Sequence, residues 1–225
     1  MRAETMTDND LPPDSKLTRS KRRWAEDRKF ITGHRTRPES ERLPPGQHLV
    51  RDWPVLDLGM HPDIPRDRWT LDVDGAVDTK LHWDWAAFQA QPQETRVTDI
   101  HCVTTWSRYD NRWDGLPTRT LLDIVSPRDD VRFVVLRSSD GYTTNLPLED
   151  FAAPDAILAH SWEGKPIDRA HGGPVRLIVP HLYLWKSAKW LKGITFRTAD
   201  EPGFWEVRGY HERGDPWTEQ RYSDD

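Results

Sequence analysis

The chain has 225 residues, 31 % of them charged, with a formal net charge of −5. That length gives one domain with room for a sizeable core, and no run of 18 apolar residues offers a transmembrane helix. The N-terminus carries basic residues, but Arg22-Arg23 leads into Trp24-Ala25-Glu26-Asp27 rather than the apolar run of a secretory or twin-arginine signal, so the cytoplasm is the expected compartment.

Residues 1–43 are polar and punctuated by Pro12-Pro13, without sustained periodicity, and read as an N-terminal extension. Residues 16 to 37 hold nine Lys/Arg against two acidic residues. Such a segment can contact nucleic acid, but it reads rather as a solvated or helical arm lying on the acidic remainder of the protein. Residues 44–225 form the expected domain, with 201–225 as a tail packed on it.

Within that domain Trp69 to Val73 alternates apolar and polar residues and Asp74-Gly75 turns the chain, which predicts a hairpin. Leu81 to Ala90 predicts a short helix, with Trp85 and Phe88 three residues apart on one side. Thr95 to Val103 reads as a strand that ends on Cys102. A helix is predicted from Leu116 to Val125, with Pro117 in its first turn. Val131 to Leu136 and Tyr142 to Leu146 read as paired strands around Ser139-Asp140-Gly141, followed by one helical turn from Leu148 to Phe151. Ala156 to Trp162, Val175 to Val179 and Gly193 to Thr198 complete the strands, with Glu163-Gly164-Lys165-Pro166 as a turn. Strands outnumber helices and connections are short. The predicted class is α+β, with mixed, mostly antiparallel sheets and short helices.

Common nucleotide-binding, hydrolase and zinc-protease motifs are absent: there is no Gly-x-Gly-x-x-Gly, phosphate-loop, Gly-x-Ser-x-Gly or His-Glu-x-x-His run. Cys102 is the only cysteine, which rules out an intrachain disulfide, a Cys-x-x-Cys pair or a cluster site. By residue type it is a buried small hydrophobe, a nucleophile or one soft metal ligand. His101 is adjacent, but neighbouring strand residues point to opposite faces, which argues against a Cys–His couple.

Two stretches combine to carry more. Asp99 to Ser107 around Cys102 is followed by Trp113-Asp114-Gly115-Leu116-Pro117, and later by His171-Gly172-Gly173-Pro174-Val175-Arg176 and Trp185-Lys186-Ser187-Ala188-Lys189-Trp190. In this order they resemble the sulfite oxidase family, over about residues 45 to 200. The form most similar is the bacterial group of sulfite oxidase-like oxidoreductases, which also share Pro44-Pro45-Gly46-Gln47 and tail runs such as Gly203-Phe204-Trp205-Glu206.

The resemblance implies the sulfite oxidase-type molybdopterin-binding fold and a molybdenum held by a pterin dithiolene, with Cys102 as the protein's thiolate ligand. Holding a flat heterocycle and its phosphate takes a bidentate cation, point charges and close backbone approach. His171, Arg176, Lys186, Ser187 and Lys189 are the residues implied for that task, together with Ser138 beside the cofactor. Gly141-Tyr142-Thr143-Thr144-Asn145-Leu146-Pro147 resembles the segment whose tyrosine hydroxyl faces the oxo group, which makes Tyr142 the implied hydrogen-bond donor to the reacting oxygen. His48 to Val55 resembles the family's opening segment and makes Arg51 the implied substrate arginine, although Asp52-Trp53 replace its Asn-His pair.

The implied activity is two-electron oxygen-atom transfer on a small sulfur oxyanion such as sulfite. The alternatives are an S-oxide or N-oxide reductase of the same fold, or a non-catalytic module that binds the cofactor or a partner. No haem-attachment motif or iron–sulfur cysteine set is present, so a separate electron-transfer protein or small carrier is implied.

Overall fold

The computed structural model describes residues 42–225. The extension expected over 1–43, with its basic stretch, lies almost wholly outside the described residues. Among the described residues, two sheets carry the fold, one of six strands and one of five.

The six-stranded sheet is built on one long strand. It holds β1 (His48–Leu49), β4 (Glu94–His101), β5 (Trp106–Pro117), β8 (Ile157–Trp162), β9 (Lys165–Pro166) and β10 (Arg176–Ile178). Strand β5 pairs antiparallel with β4 and β8 and parallel with β1, while β10 and β9 pair antiparallel with β8. The second sheet runs β3 (Leu81–Asp84), β2 (Thr70–Gly75), β11 (Leu191–Arg197), β6 (Phe133–Ser138), β7 (Thr143–Pro147), with only β2 and β11 parallel. Among the described residues three short α-helices accompany the sheets: α1 (Trp85–Gln89), α2 (Thr118–Val125) and α3 (Leu148–Phe151). The mixed, mostly antiparallel α+β class is therefore the one observed. No helix among the described residues is long and apolar enough to cross a membrane.

One core joins both sheets. Leu71, Leu116, Leu121, Val134, Leu158, Leu177 and Ile194 are fully buried within it, each such side chain contributing about 1.5–3 kcal/mol relative to exposure.

Local differences from the sequence reading have local causes. The helix predicted over Leu81–Ala90 begins only at Trp85. Its first four residues pair with β2 instead, and Asp84, in extended backbone, caps α1 by accepting a hydrogen bond from the Ala87 N–H at 2.8 Å. Trp85 and Phe88 do share a side, with ring centroids 6.0 Å apart. The hairpin after Asp74-Gly75 is looser than a tight turn, because β3 starts only at Leu81.

Strand β5 has no counterpart in the sequence reading. Its middle is polar, Asp110 takes a left-handed backbone (φ 54°), and fully buried Asn111 donates its amide to the carbonyls of Thr98 and Arg108. A buried polar residue with backbone partners erases the alternation by which a strand is recognised.

The tail makes no strand yet is held along its length. Phe204 N–H donates to the Thr143 carbonyl at 2.9 Å and Tyr183 N–H to the Gly214 carbonyl at 2.8 Å, and Tyr210 bridges to Tyr222.

Candidate active site

Segments 53–58, 102–106, 138–142, 171–190 and 205–210 converge on one cleft enclosing about 840 Å³ including its open mouth. Cys102 heads the β4–β5 hairpin. Its N–H donates to the Trp106 carbonyl at 2.8 Å and its carbonyl accepts from Thr105, whose φ of 73° closes the turn. The nearly buried sulfur lies 3.1 Å from Thr104 Oγ1, on the cleft wall. On the far side Gln47 Nε2 donates to the Cys102 carbonyl at 3.2 Å. His101 does not line the cleft. Its Nδ1 pairs with Ser107 Oγ at 2.8 Å, its ring meets Trp217 edge-on, and burial pushes its pKa down to about 4.

Trp53 and His171, which also line the cleft, form a stacked wall, with ring centroids 4.0 Å apart and planes 22° apart. Asp168 accepts from His171 at Nδ1, while Nε2 lies 2.9 Å from the Trp53 carbonyl. Gly172 lets the chain pass beneath this wall: it has φ of 102°, and a Cβ there would stand 2.6 Å from the Lys189 Cβ. Arg176 is 2 % exposed and donates to the carbonyls of His171 (2.7 Å) and Ser187 (3.0 Å), with its guanidinium over the Trp53 ring. Burial lowers its pKa to about 9, with only Asp168 pulling upward.

The sequence-predicted residues divide. Cys102, Ser138, Tyr142, His171, Arg176, Ser187 and Lys189 all line the cleft. Lys186 does not: its Nζ turns into the protein, 2.6 Å from Glu206 Oε1 and 2.9 Å from Asn145 Oδ1. Arg51 is exposed and outside the lining, and the contact it offers is its main-chain carbonyl to Arg108. Tyr142 lines the wall, but its hydroxyl donates to the Trp185 carbonyl at 2.5 Å, so that proton does not point into the cleft. Burial raises its pKa well above the ordinary value.

Trp106, Asp57, Asp140, Trp205 and Tyr210 also line the cleft without having been assigned a role from the sequence. Burial raises the Asp140 carboxyl, whereas the His61 and Gly59 hydrogen bonds outweigh burial and lower Asp57. Burial, then the Cys102 sulfur, also raises Tyr210 well above its ordinary value. The tail residues carried no local signal beyond an aromatic pattern.

The donor set fits a pterin. Two cleft-lining donors, Ser138 Oγ and Trp106 Nε1, are buried without a hydrogen-bond partner, a costly arrangement unless a ligand supplies acceptors. A buried guanidinium held by carbonyls, a flat aromatic wall and a thiol complete the complement of a flat, anionic, sulfur-rich group. Among the described residues no group of three or more His, Cys, Asp or Glu side chains is placed to hold a metal ion, so a metal at Cys102 must bring its other ligands with it.

A sequence profile described as oxidoreductase molybdopterin binding domain matches residues 58–205. The chain belongs to this family.

As a molybdopterin-binding oxidoreductase domain it takes the molybdenum–pterin cofactor that the cleft fits, and the sulfite oxidase resemblance read from the sequence stands. The uncharacterized oxidoreductase YuiH of Bacillus subtilis is 43 % identical over 189 residues, spanning 82 % of this chain and 94 % of YuiH. The putative protein-methionine-sulfoxide reductase subunit YedZ1 of Azospira oryzae is 29 % identical over 66 % of this chain and 56 % of its own length. The protein-methionine-sulfoxide reductase catalytic subunit MsrP of Ralstonia nicotianae is 27 % identical over 65 % of this chain and 49 % of its own length. The sulfane dehydrogenase SoxCD of Paracoccus pantotrophus shares the fold, with a TM-score of 0.58 at 16 % identity over 70 % of this chain and 46 % of that one.

Proposed function

We propose that this domain reduces neutral S-oxides to thioethers, the alternative among the activities implied by the sequence, in place of sulfite oxidation. The observation that carries this reading is the charge of the cleft wall. Its cations are Arg176 and Lys189, both with hydrogen bonds to carbonyls, facing the carboxylates Asp57 and Asp140. Arg51, the arginine expected to attract an anion, lies outside it. The remainder is largely aromatic, with Trp53, Trp106, Trp185, Trp190, Trp205, Tyr142 and Tyr210. For a sulfur dianion the carboxylates offset those cations, whereas a dipolar S-oxide with apolar substituents meets indole faces. The names of two relatives, both protein-methionine-sulfoxide reductase proteins, support the same class.

The balanced reaction takes one S-oxide, two electrons and two protons to one thioether and one water. The cofactor supplies the two-electron redox chemistry and the acceptor for the transferred oxygen. The chain's own residues bind and orient. Cys102 as thiolate holds the metal. Arg176, Ser138, Trp106 Nε1, Ser187 and Lys189 hold the pterin and its phosphate, and the Trp53–His171 stack gives the flat heterocycle its wall. Lys186, turned to Glu206, takes no part in cofactor binding. Electrons come from a separate protein or small carrier, in the cytoplasm.

The test is a paired assay on molybdenum-loaded protein: viologen-driven reduction of dimethyl sulfoxide and methionine sulfoxide, beside ferricyanide-linked oxidation of sulfite. S-oxide turnover with little sulfite activity is expected. Sulfite oxidation without S-oxide reduction overturns the reading.

A further inference from the structure

We infer that Gln47 is a positioning residue for the Cys102 thiolate, fixing from behind the hairpin head that carries the metal-binding sulfur. The inference rests on Cys102 as the metal's ligand and not on the direction of oxygen transfer. Gln47 closes the run Pro44-Pro45-Gly46-Gln47, to which neither the cofactor nor the substrate reading gives a role, and it precedes the family-matched residues 58–205. It is 5 % exposed and does not line the cleft.

Gly46, with φ of 69°, turns the chain so that the Gln47 N–H donates to the Pro44 carbonyl at 3.2 Å. Strand β1 then pairs with the start of β5: His48 N–H donates to the Thr105 carbonyl and Val50 N–H to the Ser107 carbonyl, both at 2.9 Å. That pairing brings the Gln47 amide to the hairpin head. Its Nε2 donates to the Cys102 carbonyl at 3.2 Å, and its Oε1 accepts from Ser107 Oγ at 3.3 Å. Ser107 is fully buried, and its Oγ lies 2.8 Å from His101 Nδ1. The donors have one consistent order: His101 Nδ1–H to the hydroxyl, the hydroxyl to the amide oxygen, and the amide N–H to the Cys102 carbonyl. That carbonyl therefore holds two donors, Thr105 N–H at 3.0 Å and Gln47, while the Cys102 N–H donates to Trp106. Both main-chain polar groups of the cysteine are anchored, one of them by a side chain 55 residues earlier. The potential and spectrum of a metal–thiolate site follow how the sulfur is oriented toward the metal. Groups that orient a ligand from one shell out typically contribute about 10–100-fold in affinity or activity.

The experiment compares molybdenum-loaded wild type with three variants. Gln47→Met keeps the side chain's length without its hydrogen bonds, Ser107→Ala removes the hydroxyl that orients the amide, and Leu49→Ala alters an exposed side chain of β1. The readouts are the absorption spectrum of the oxidised protein and the metal's midpoint potential in a dye-mediated titration, neither of which needs a substrate. Gln47→Met is expected to shift both at wild-type molybdenum content, and to lower kcat for dimethyl sulfoxide roughly 10-fold with little change in KM. Ser107→Ala should shift both in the same direction by less, and Leu49→Ala should match wild type. A wild-type spectrum and potential in Gln47→Met overturn the inference, even where kcat falls. If Gln47→Met does not fold or load, Ser107→Ala decides by the same criterion. A wild-type spectrum in Cys102→Ser overturns the ligand assignment and this inference with it, whereas a changed spectrum there beside an unchanged one in Gln47→Met overturns this inference alone. Shifts in spectrum and potential sustain it even if S-oxide reduction fails.

Discussion

The Lys186 ammonium and the Glu206 carboxylate lie 2.6 Å apart with neither side chain exposed. The same carboxylate oxygen accepts from Trp185 Nε1 at 3.1 Å and Thr144 Oγ1 at 2.9 Å. One tail residue therefore ties together the turn at 184–186, strand β7 and the tail that carries Tyr210. Removing one partner of a buried pair strands the other charge, at a cost of roughly 3–5 kcal/mol. Glu206→Ala is expected to lose about that much in urea unfolding, and the double variant Lys186→Met/Glu206→Leu to recover much of it. A loss below about 1 kcal/mol in the single variant would show the pair to be solvated.

Cys102→Ser removes one sulfur from the hairpin head and leaves the Cys102–Trp106 turn to be made by the backbone alone. The variant should fold with wild-type Tm. Turnover should fall more than about 100-fold, beyond the range for residues that only orient a ligand, and the metal's absorption spectrum should change. Retained turnover would remove Cys102 from the metal.

Gly214 has φ of 79°, and a Cβ there would stand 2.6 Å from the Trp185 indole. Gly214→Ala combines a left-handed backbone, unfavourable by roughly 1–2 kcal/mol, with overpacking of a similar size. The indole it displaces is a wall of the cleft, so S-oxide KM should rise along with the drop in Tm. An unchanged KM would mean that Trp185 does not bear on substrate.

Asp150 anchors the tail from the core side. Its carboxylate accepts from both Arg213 Nε and Nη2 at 2.9 Å and from His181 Nε2 at 2.8 Å. Burial acts to raise its pKa, but these hydrogen bonds prevail and hold it at about 2, below the ordinary 3.8. A depressed folded-state pKa gives stability that is present above pH 3.8 and lost as pH falls through about 2. Wild type should therefore exceed Asp150→Asn in stability at neutral pH, with the gap closing between about pH 4 and 2. A gap that stays constant across that range contradicts the assignment.

Local chemistry made much of the fold legible. Strands β6 and β7 meet around Asp140-Gly141, where alternation and turn residues placed them, whereas Lys165-Pro166, read as part of a turn, forms the short strand β9 against β8. Helices α2 and α3 lie within two residues of their predicted starts. Strand β5 was hidden because its buried polar Asn111 is satisfied by the Thr98 carbonyl on β4, a partner no local window contains.

For the site, the sequence by itself determined the chemical inventory: one thiol at a strand end, then His171, Arg176 and the lysines in family order, and from these the cofactor. Which of those groups face the cofactor was decided only by tertiary contacts. Lys186 and Lys189 are three residues apart, yet Glu206, twenty residues further on, draws one ammonium into the core while the other lines the cleft. Likewise the Trp185 carbonyl takes the proton of Tyr142, and Gly209 turns Tyr210 back to the cleft wall. Residue type is encoded locally, but direction depends on partners distant in the chain, because a buried polar group must point to whatever satisfies it.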